Sequence, residues 1–178
     1  MRISYRKLMP GDEASYRLLR LECLKNFPDK FGSGYEEEAK SSKLKFEEFI
    51  ENQSGENFIF GAFAPDGNLI GIAGFRHGDR IKTRHRGEVV QMYVDPKFGG
   101  QAIGVNLLRE LIGAAFNLKD MKSLELTVVA ENSPAIKLYV KVGFKVFGIQ
   151  KNYFKAGDKY WDQMFMQLLR EDFYKNHF

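Results

Sequence analysis

The chain has 178 residues, a hydrophobic content of 44% and a net charge of +4. These values exclude wholesale disorder and fit one domain over residues 1–178 with a core of its own. No apolar run reaches the roughly 18 residues that cross a bilayer, and the N-terminal segment lacks the apolar stretch of a signal peptide. The single cysteine, Cys23, excludes an internal disulfide, so we expect a reducing, cytoplasmic location. Basic residues are scattered, which predicts neither a nucleic-acid nor a membrane partner.

The first half of the chain predicts two helices and then an antiparallel meander. Asp12 is expected to cap a helix that runs to about Phe27, and Ser42 to cap a short helix through Ile50. Segments rich in extended-state residues predict strands over residues 2–8, 57–64, 69–76 and 87–95. Loops are predicted over residues 28–41, 65–68 and 78–86.

The second half alternates helices with strands. A glycine-rich stretch at 99–104 opens an amphipathic helix over 104–117, and a further helix over 133–142 has Pro134 in its first turn. Gly143 is expected to end that helix in a left-handed conformation. Strands are predicted over residues 123–129, 144–149 and 160–169. A basic aromatic loop separates the last two, and the element order predicts an α+β fold with a mixed, mostly antiparallel sheet flanked by helices.

The first chemical signal is the segment V-D-P-K-F-G-G-Q-A-I-G, residues 94–104. A strand ends there, glycines let the backbone turn, and a helix begins at once, so several N–H groups point outward beside the positive end of a helix. Such an arrangement binds a phosphate or diphosphate. The segment matches neither the P-loop nor the dinucleotide fingerprint. An ordinary strand–helix turn that needs glycine only for its geometry is the alternative interpretation.

This segment resembles the phosphate loop of the GNAT superfamily of acetyl-CoA-dependent N-acetyltransferases, in which a V-x-P-like strand end runs into R-G-x-G-I-G and a helix. Gly100, Ile103 and Gly104 match that pattern. Gly99 stands where arginine or glutamine is usual, which removes one side-chain contact with the cofactor but keeps the backbone N–H groups. Ala102 replaces the first glycine of G-x-G, and we expect it in right-handed helical space, where alanine is unstrained.

A second segment, N-S-P-A-I-K-L-Y-V-K-V-G-F at residues 132–144, resembles the N-x-x-A-x-x-L-Y-x-x-x-G-F segment of the same superfamily. Asn132, Tyr139 and Gly143-Phe144 fall at the family spacing and follow the phosphate loop in the family order. Helical spacing alone also explains the segment as a buried helix face that ends at a glycine. By the two segments together, the chain is identified as a member of the superfamily over roughly residues 2–170.

The resemblance implies a sheet of about seven strands whose central strands splay apart to hold acetyl-CoA, with no metal. It implies that the acetyl group passes directly to a primary amine of a small molecule or peptide, without a covalent enzyme intermediate. One backbone N–H beside the pantetheine would polarise the thioester carbonyl. The cofactor-binding residues that the resemblance implies are Met92, Tyr93, Val94, Gly99, Gly100, Gln101, Ala102, Ile103, Gly104, Asn132 and Ala135.

Two residues are catalytic candidates by the same resemblance. Glu88 corresponds to a glutamate that acts as a base through water in several family members, and a solvated carboxylate at the end of a strand is the alternative. Tyr139 corresponds to the tyrosine that protonates the CoA sulfur, and an aromatic side chain packed at the helix surface is the alternative. His85 is a further candidate for the base, although a histidine in a basic loop is usually exposed.

The acceptor and two other classes of function stay open. The acidic run Glu36-Glu37-Glu38 attracts a cationic acceptor or forms a solvated face of a loop or helix. A non-catalytic acyl-CoA-binding module is one alternative, because Gly99 and Ala102 depart from the family loop. A nucleic-acid-binding protein is the other, because the chain is basic overall. Family habit favours a homodimer.

Overall fold

A single seven-stranded sheet forms the centre of the computed structural model, which describes residues 2–78 and 80–175. The strands are β1 (Ser4–Lys7), β2 (Asn57–Phe63), β3 (Leu69–His77), β4 (Arg86–Val94), β5 (Ser123–Val129), β6 (Lys145–Ala156) and β7 (Lys159–Leu169). The helices are α1 (Glu13–Asn26), α2 (Tyr35–Lys40), α3 (Lys45–Glu51), α4 (Ile103–Phe116), α5 (Ser133–Val142) and α6 (Arg170–Lys175).

The sheet order is β1-β2-β3-β4-β5-β7-β6, and every neighbouring pair is antiparallel except the parallel pair β4–β5. The connection from β4 to β5 runs through α4, since parallel neighbours need a long crossover. This arrangement confirms the predicted α+β class with a mixed, mostly antiparallel sheet. The predicted Pro134 in the first turn of α5 and the left-handed Gly143 after it, with φ of 114°, are also confirmed.

Strand alternation gives the sheet two apolar faces. Along β2, Phe58 and Ala62 belong to a core shared with α4, whereas Ile59 and Phe63 belong to a core shared with α1 and α3. A side-chain period of two produces this division, because successive residues of a strand point to opposite faces. Helices therefore cover both faces of the first half of the sheet.

The structure differs from the predicted elements in three places, one of which is the C-terminal helix α6, for which no helix was predicted. Residues 35–40 form α2 inside the segment predicted as a loop, because glutamate, alanine and lysine favour a helix once the glycines at 32 and 34 are passed. The predicted basic aromatic loop instead belongs to the β6–β7 hairpin, whose turn is only Gly157-Asp158. Nearly every side chain of β6 is exposed, so the apolar alternation that reveals a half-buried strand is missing there.

The two predicted helix caps are wrong in their chemistry. Asp12 occupies the N-cap position of α1, but its carboxylate accepts hydrogen bonds from the Arg6 guanidinium and caps no N–H group of the helix. The N-cap of α3 is Leu44 rather than Ser42, and the Glu47 carboxylate accepts a hydrogen bond from the Leu44 N–H. At α1 the Asp12 carboxylate is occupied by Arg6 instead of a helix N–H group. At α3 the helix begins later than expected, and Glu47 rather than Ser42 supplies the side-chain acceptor.

Candidate active site

Strands β4 and β5 are paired over only three residues of each strand, Arg86–Glu88 against Ser123–Glu125. Within the described part of the chain, residues 89–94 have no partner in β5 and residues 126–129 have none in β4. A groove of about 740 Å³ opens between the diverging strands and is also lined by α5 and by residues of α1, α2, α3 and their connections. The splayed central strands that the resemblance implied are therefore present.

A β-bulge in β4 lies beside this groove. Gln91 and Met92 together lie opposite a single residue of β3, Ala73, and Gln91 has a φ of 54°. The Tyr16 hydroxyl of α1 donates a hydrogen bond of 2.8 Å to Gln91 Oε1, which fixes the bulged residue. A bulge bends its strand and increases the local twist, so this one contributes to the divergence of β4 from β5. Sequence reasoning missed the bulge because none of these residue types marks one.

The glycine-rich loop presents a row of backbone donors. The N–H groups of residues 100–105 donate to no residue of the described chain, and Asn106 is the first whose N–H bonds back, to Ala102 O at 3.0 Å. Gly100 has a φ of 81°, a conformation that a Cβ would strain. The 14-residue helix α4 adds its positive end to these donors. The loop therefore fits a diphosphate such as that of CoA.

Ala102 departs from the expected backbone conformation. It precedes α4 with φ of 55° and ψ of 14°, in the left-handed region rather than the right-handed one. The Cβ of an L-residue crowds the following carbonyl oxygen in that region, at a cost of about 1–2 kcal/mol. The expectation was wrong because the loop turns at Ala102 itself, before the helix begins. This geometry explains why glycine suits the position.

We expect Ala102→Gly to raise the free energy of unfolding by about 0.5–1 kcal/mol. Relief of the left-handed strain exceeds the added entropy that glycine gives the unfolded chain. Denaturant unfolding measures the change, with Ala114→Gly as a control in the last turn of α4, where glycine destabilises by up to about 1 kcal/mol. A less stable Ala102→Gly chain would contradict the left-handed assignment.

The other two loop glycines have different reasons for their identity. Gly99 has φ of −59°, which any residue adopts, so its torsion angle does not require glycine in place of the family's arginine or glutamine. A Cβ there would nevertheless lie close to the Pro96 carbonyl oxygen, at 3.1 Å. Gly104 is favoured by packing, because a Cβ there would lie 2.6 Å from Leu138 Cδ1 of α5 and the leucine side chain would have to move. The donors that this loop offers are thus backbone N–H groups, with no side-chain donor at position 99.

Helix α5 brings three of the predicted residues to the groove. Asn132, Ala135 and Tyr139 all line it, and the Asn132 side chain makes no hydrogen bond with a described residue. Tyr139 is 7% exposed, packs edge-on against Phe144 with ring centroids 6.0 Å apart, and donates its hydroxyl proton to no described residue. Burial raises the pKa of the Tyr139 phenol well above its usual range, so the hydroxyl stays protonated.

Glu88 stands where the two central strands part. It is the last residue of β4 that pairs with β5, and it lines both the main groove and a second cavity of about 610 Å³. Its carboxylate, 33% exposed, forms an ion pair with Arg76 of β3. His85 is exposed and lines neither cavity. The structure therefore brings Glu88 and Tyr139 to one groove and leaves His85 outside it.

Sequence reasoning missed an ion pair in the wall formed by α1 and α2. Arg20 is 3% exposed, and its Nε and Nη2 atoms donate to Glu38 at 2.9 and 2.6 Å. Both side chains line the groove, whereas Glu36 and Glu37 are exposed. The acidic run is thus divided, with two solvated carboxylates and one bound to a buried arginine. No local signal pairs residues 18 positions apart, although an arginine among the apolar residues of α1 is a sign of a buried partner.

Two negative findings apply to residues 2–78 and 80–175. No three histidine, cysteine, aspartate or glutamate side chains in these ranges are placed to hold a metal ion. None of the helices described is long and apolar enough to cross a membrane.

The splayed mixed sheet and the glycine-rich loop with free N–H groups after one central strand are the features of an acyl-CoA-dependent transferase. The sequence matches the acetyltransferase (GNAT) domain family over residues 6–165, so the chain belongs to that family. The expected fold, the enzyme class and acetyl-CoA as the donor are confirmed.

Relatives of known name agree with this assignment. The L-amino acid N-acetyltransferase AaaT of Escherichia coli K12 is 31% identical over 105 residues, which cover 59% of this chain and 64% of that protein. A GNAT acetyltransferase from Streptococcus pneumoniae has the same fold, with a TM-score of 0.80 and 24% identity over 94% of this chain and 99% of its own. A GNAT phosphinothricin acetyltransferase from Sinorhizobium meliloti, solved with acetyl-CoA, has a TM-score of 0.75 and 22% identity over 95% and 89% of the two chains.

Proposed function

We propose that this protein transfers the acetyl group of acetyl-CoA directly to the primary amine of a small molecule or peptide, with Glu88 and Tyr139 moving the protons. The observation that carries the proposal is the groove itself. The groove is lined by Met92 of β4 and by the buried Tyr139, where β4 and β5 diverge. The free backbone N–H groups of residues 100–105 lie beyond the end of β4, at the start of α4.

The need for a base follows from the acceptor. A lysine-like amine has a pKa near 10.4, so only about one molecule in several thousand is neutral and nucleophilic at pH 7. Supplying the neutral form costs on the order of 4–5 kcal/mol, at 1.36 kcal/mol per pH unit. A carboxylate that accepts the ammonium proton inside the site, directly or through one water, removes this barrier. Glu88 is the carboxylate of β4 that lines the groove.

The other residues have roles in holding the donor and protonating its leaving group. The open backbone edge at Met92 and Val94 pairs with the amides of pantetheine, and Asn132 binds the same arm. The amine nitrogen attacks the thioester carbon, the carbon–sulfur bond breaks, and Tyr139 donates its proton to the departing sulfur. Protonation of a thiolate by a phenol depends on short distance rather than on acidity, because the phenol is the weaker acid.

We expect Glu88→Gln to lower kcat/KM at pH 7 by about 100-fold, within the usual range for a general base. The loss should shrink as the pH rises, because each unit makes the neutral amine about ten times more abundant and so reduces the need for a base. Rate profiles from pH 7 to 9.5 measure this dependence. Glu125→Gln is the matched control, since Glu125 forms the corresponding ion pair with Arg86 but does not line the main groove.

Equal losses in the two glutamine variants, or a Glu88→Gln loss that does not change with pH, would make Glu88 a strand-end carboxylate of structural importance only.

The test of the function is release of CoA thiol from acetyl-CoA in the presence of amino acids, polyamines, aminoglycosides and peptides. Acetyl-CoA binding without thiol release across the panel would favour the non-catalytic acyl-CoA-binding module. The relatives named above are acetyltransferases and give that alternative no support. Affinity for nucleic acid that does not change when CoA is added and falls steeply with salt concentration would favour a nucleic-acid-binding role.

We also propose that the enzyme acts in the cytoplasm as a homodimer, without nucleic-acid or membrane partners. Cys23 supports the cytoplasm, because a chain with a single cysteine has no internal disulfide of the kind that oxidising compartments favour. Exposed Val146, Phe147 and Ile149 on the edge strand β6 support a homodimer. Light scattering of the purified chain tests the dimer.

A further inference from the structure

The groove carries more positive than negative charge. Its described lining contains four basic side chains and two carboxylates, Glu38 and Glu88. Each carboxylate is already bound to an arginine of the groove, Glu38 to Arg20 and Glu88 to Arg76. The remaining two cations, Lys30 and Lys45, form no ion pair with a described carboxylate. No carboxylate of the lining is left to receive a second positive charge on an acceptor.

Arg20, in the wall of the groove formed by α1 and α2, has an N–H donor group that no described residue uses. Although its side chain is 97% buried, only Nε and Nη2 are used by Glu38, and Nη1 donates to no described residue. The guanidinium carbon lies 5.6 Å from the centre of the Phe31 ring, so the ring and Glu38 together fix the plane of the group. A buried guanidinium with an unused edge is preorganised for a planar anion, which it binds by paired N–H donors.

From the charge surplus and this unused edge, we infer that the acceptor is an amine that carries a carboxylate, as an α-amino acid does. Arg20 binds the carboxylate, and the unpaired Lys30 and Lys45 of the same lining add positive charge that attracts it. The inference rests on the proposed function and narrows its acceptor. A polyamine is the opposite case, because its second cation would meet Lys30 and Lys45 with no free carboxylate to offset them.

The wild-type enzyme tests the inference with three matched acceptors: methionine, methioninamide and 3-(methylthio)propylamine. The amide also represents the N-terminus of a peptide, because it lacks the free carboxylate. Rates are compared per neutral amine, at several pH values, so that differences in amine pKa do not enter. We expect kcat/KM for methionine to exceed that of either analogue by about 10–100-fold, which is typical of one charge-assisted hydrogen-bonded contact.

Variants then identify the residues responsible. Lys45→Gln is expected to lower kcat/KM for methionine about 5–10-fold, as for loss of one close charge, and to leave methioninamide unchanged. Its matched control is Lys43→Gln, because Lys43 is an exposed lysine two residues away that pairs with Glu51 and does not line the groove. The control should alter neither substrate.

Arg20 needs a paired substitution, because removing it alone leaves Glu38 as an uncompensated carboxylate in the wall. The double variant Arg20→Gln/Glu38→Gln keeps hydrogen-bonding groups at both positions. We expect it to retain the wild-type affinity for acetyl-CoA and to lose the preference for methionine over methioninamide.

Wild-type turnover that is equal for the acid and its analogues, or fastest for spermidine, would overturn the inference and leave the proposed function intact. Equal losses on methionine and methioninamide in Lys45→Gln would also overturn it. Absence of thiol release with every acceptor would instead overturn the proposed function, and the inference with it.

Discussion

Replacement of Tyr139 by phenylalanine is expected to lower kcat by about 100-fold or more while leaving the affinity for acetyl-CoA unchanged. The substitution removes only the hydroxyl, and the ring keeps its edge-on contact with Phe144. Loss of a general acid typically costs a factor of about 10²–10⁴. Thiol release at saturating acetyl-CoA measures kcat, and calorimetry measures binding. Tyr5→Phe is the matched control, since Tyr5 is a partly buried tyrosine of β1, at the far edge of the sheet from the groove.

The pH dependence of the wild-type enzyme gives a second readout for Tyr139. Burial raises the pKa of the phenol, so the proton is held to higher pH than in the unfolded chain. Its contribution to stability is complete below about pH 10 and is lost only as the pH rises through the folded-state pKa. We therefore expect no fall in kcat below about pH 10 from ionisation of this residue. Unchanged turnover in Tyr139→Phe would remove Tyr139 from the chemistry.

Gln101→Glu is expected to weaken acetyl-CoA binding by about 10–100-fold without destabilising the fold. Binding weakens because the substitution places a negative charge within a few ångströms of the negatively charged diphosphate. The exposed Gln101 lies among the free N–H groups of residues 100–105, so a carboxylate there repels the ligand and competes for its donors. The same charge is favourable to α4, because acidic groups near a helix N-terminus stabilise it by about 0.3–1 kcal/mol. The variant should therefore bind acetyl-CoA more weakly than the wild-type protein and unfold at a higher temperature.

Calorimetry at low and high salt and a thermal melt test this prediction. The loss of affinity should diminish as salt screens the repulsion. Gln150→Glu on the exposed strand β6 makes the same change in net charge away from the loop and controls for it. A loss that is equal in the two variants, or that accompanies a lower melting temperature, would contradict a diphosphate site at residues 100–105.

The parts of the site that the sequence predicted are those set by local residue order. The glycines before α4 and the Asn132–Phe144 segment each carry their geometry within about a dozen residues, so both could be placed before the structure was known. Gly100 and Gly143 adopt the left-handed conformations that such positions require.

The parts that escaped prediction depend on contacts between distant residues or on backbone torsions of ordinary residues. The bulge at Gln91 is held by Tyr16, which lies 75 residues away in the chain. Arg20 and Glu38 come together only when α1 and α2 pack. Ala102 shows the limit most directly, because its residue type favours one region of torsion space and the loop imposes another. For the same reason, the acceptor side of the groove could not be predicted from local patterns.

The brief contact between β4 and β5 has a mechanical consequence. Only three residues of each strand join the two portions of the sheet by backbone hydrogen bonds, so most of their connection comes from side chains in the core beside α4. A molecule bound along both diverging edges supplies cross-links that the empty protein lacks. Substrate occupancy should accordingly stiffen the whole domain, slowing amide exchange in β4 and β5 beyond the residues that touch the ligand.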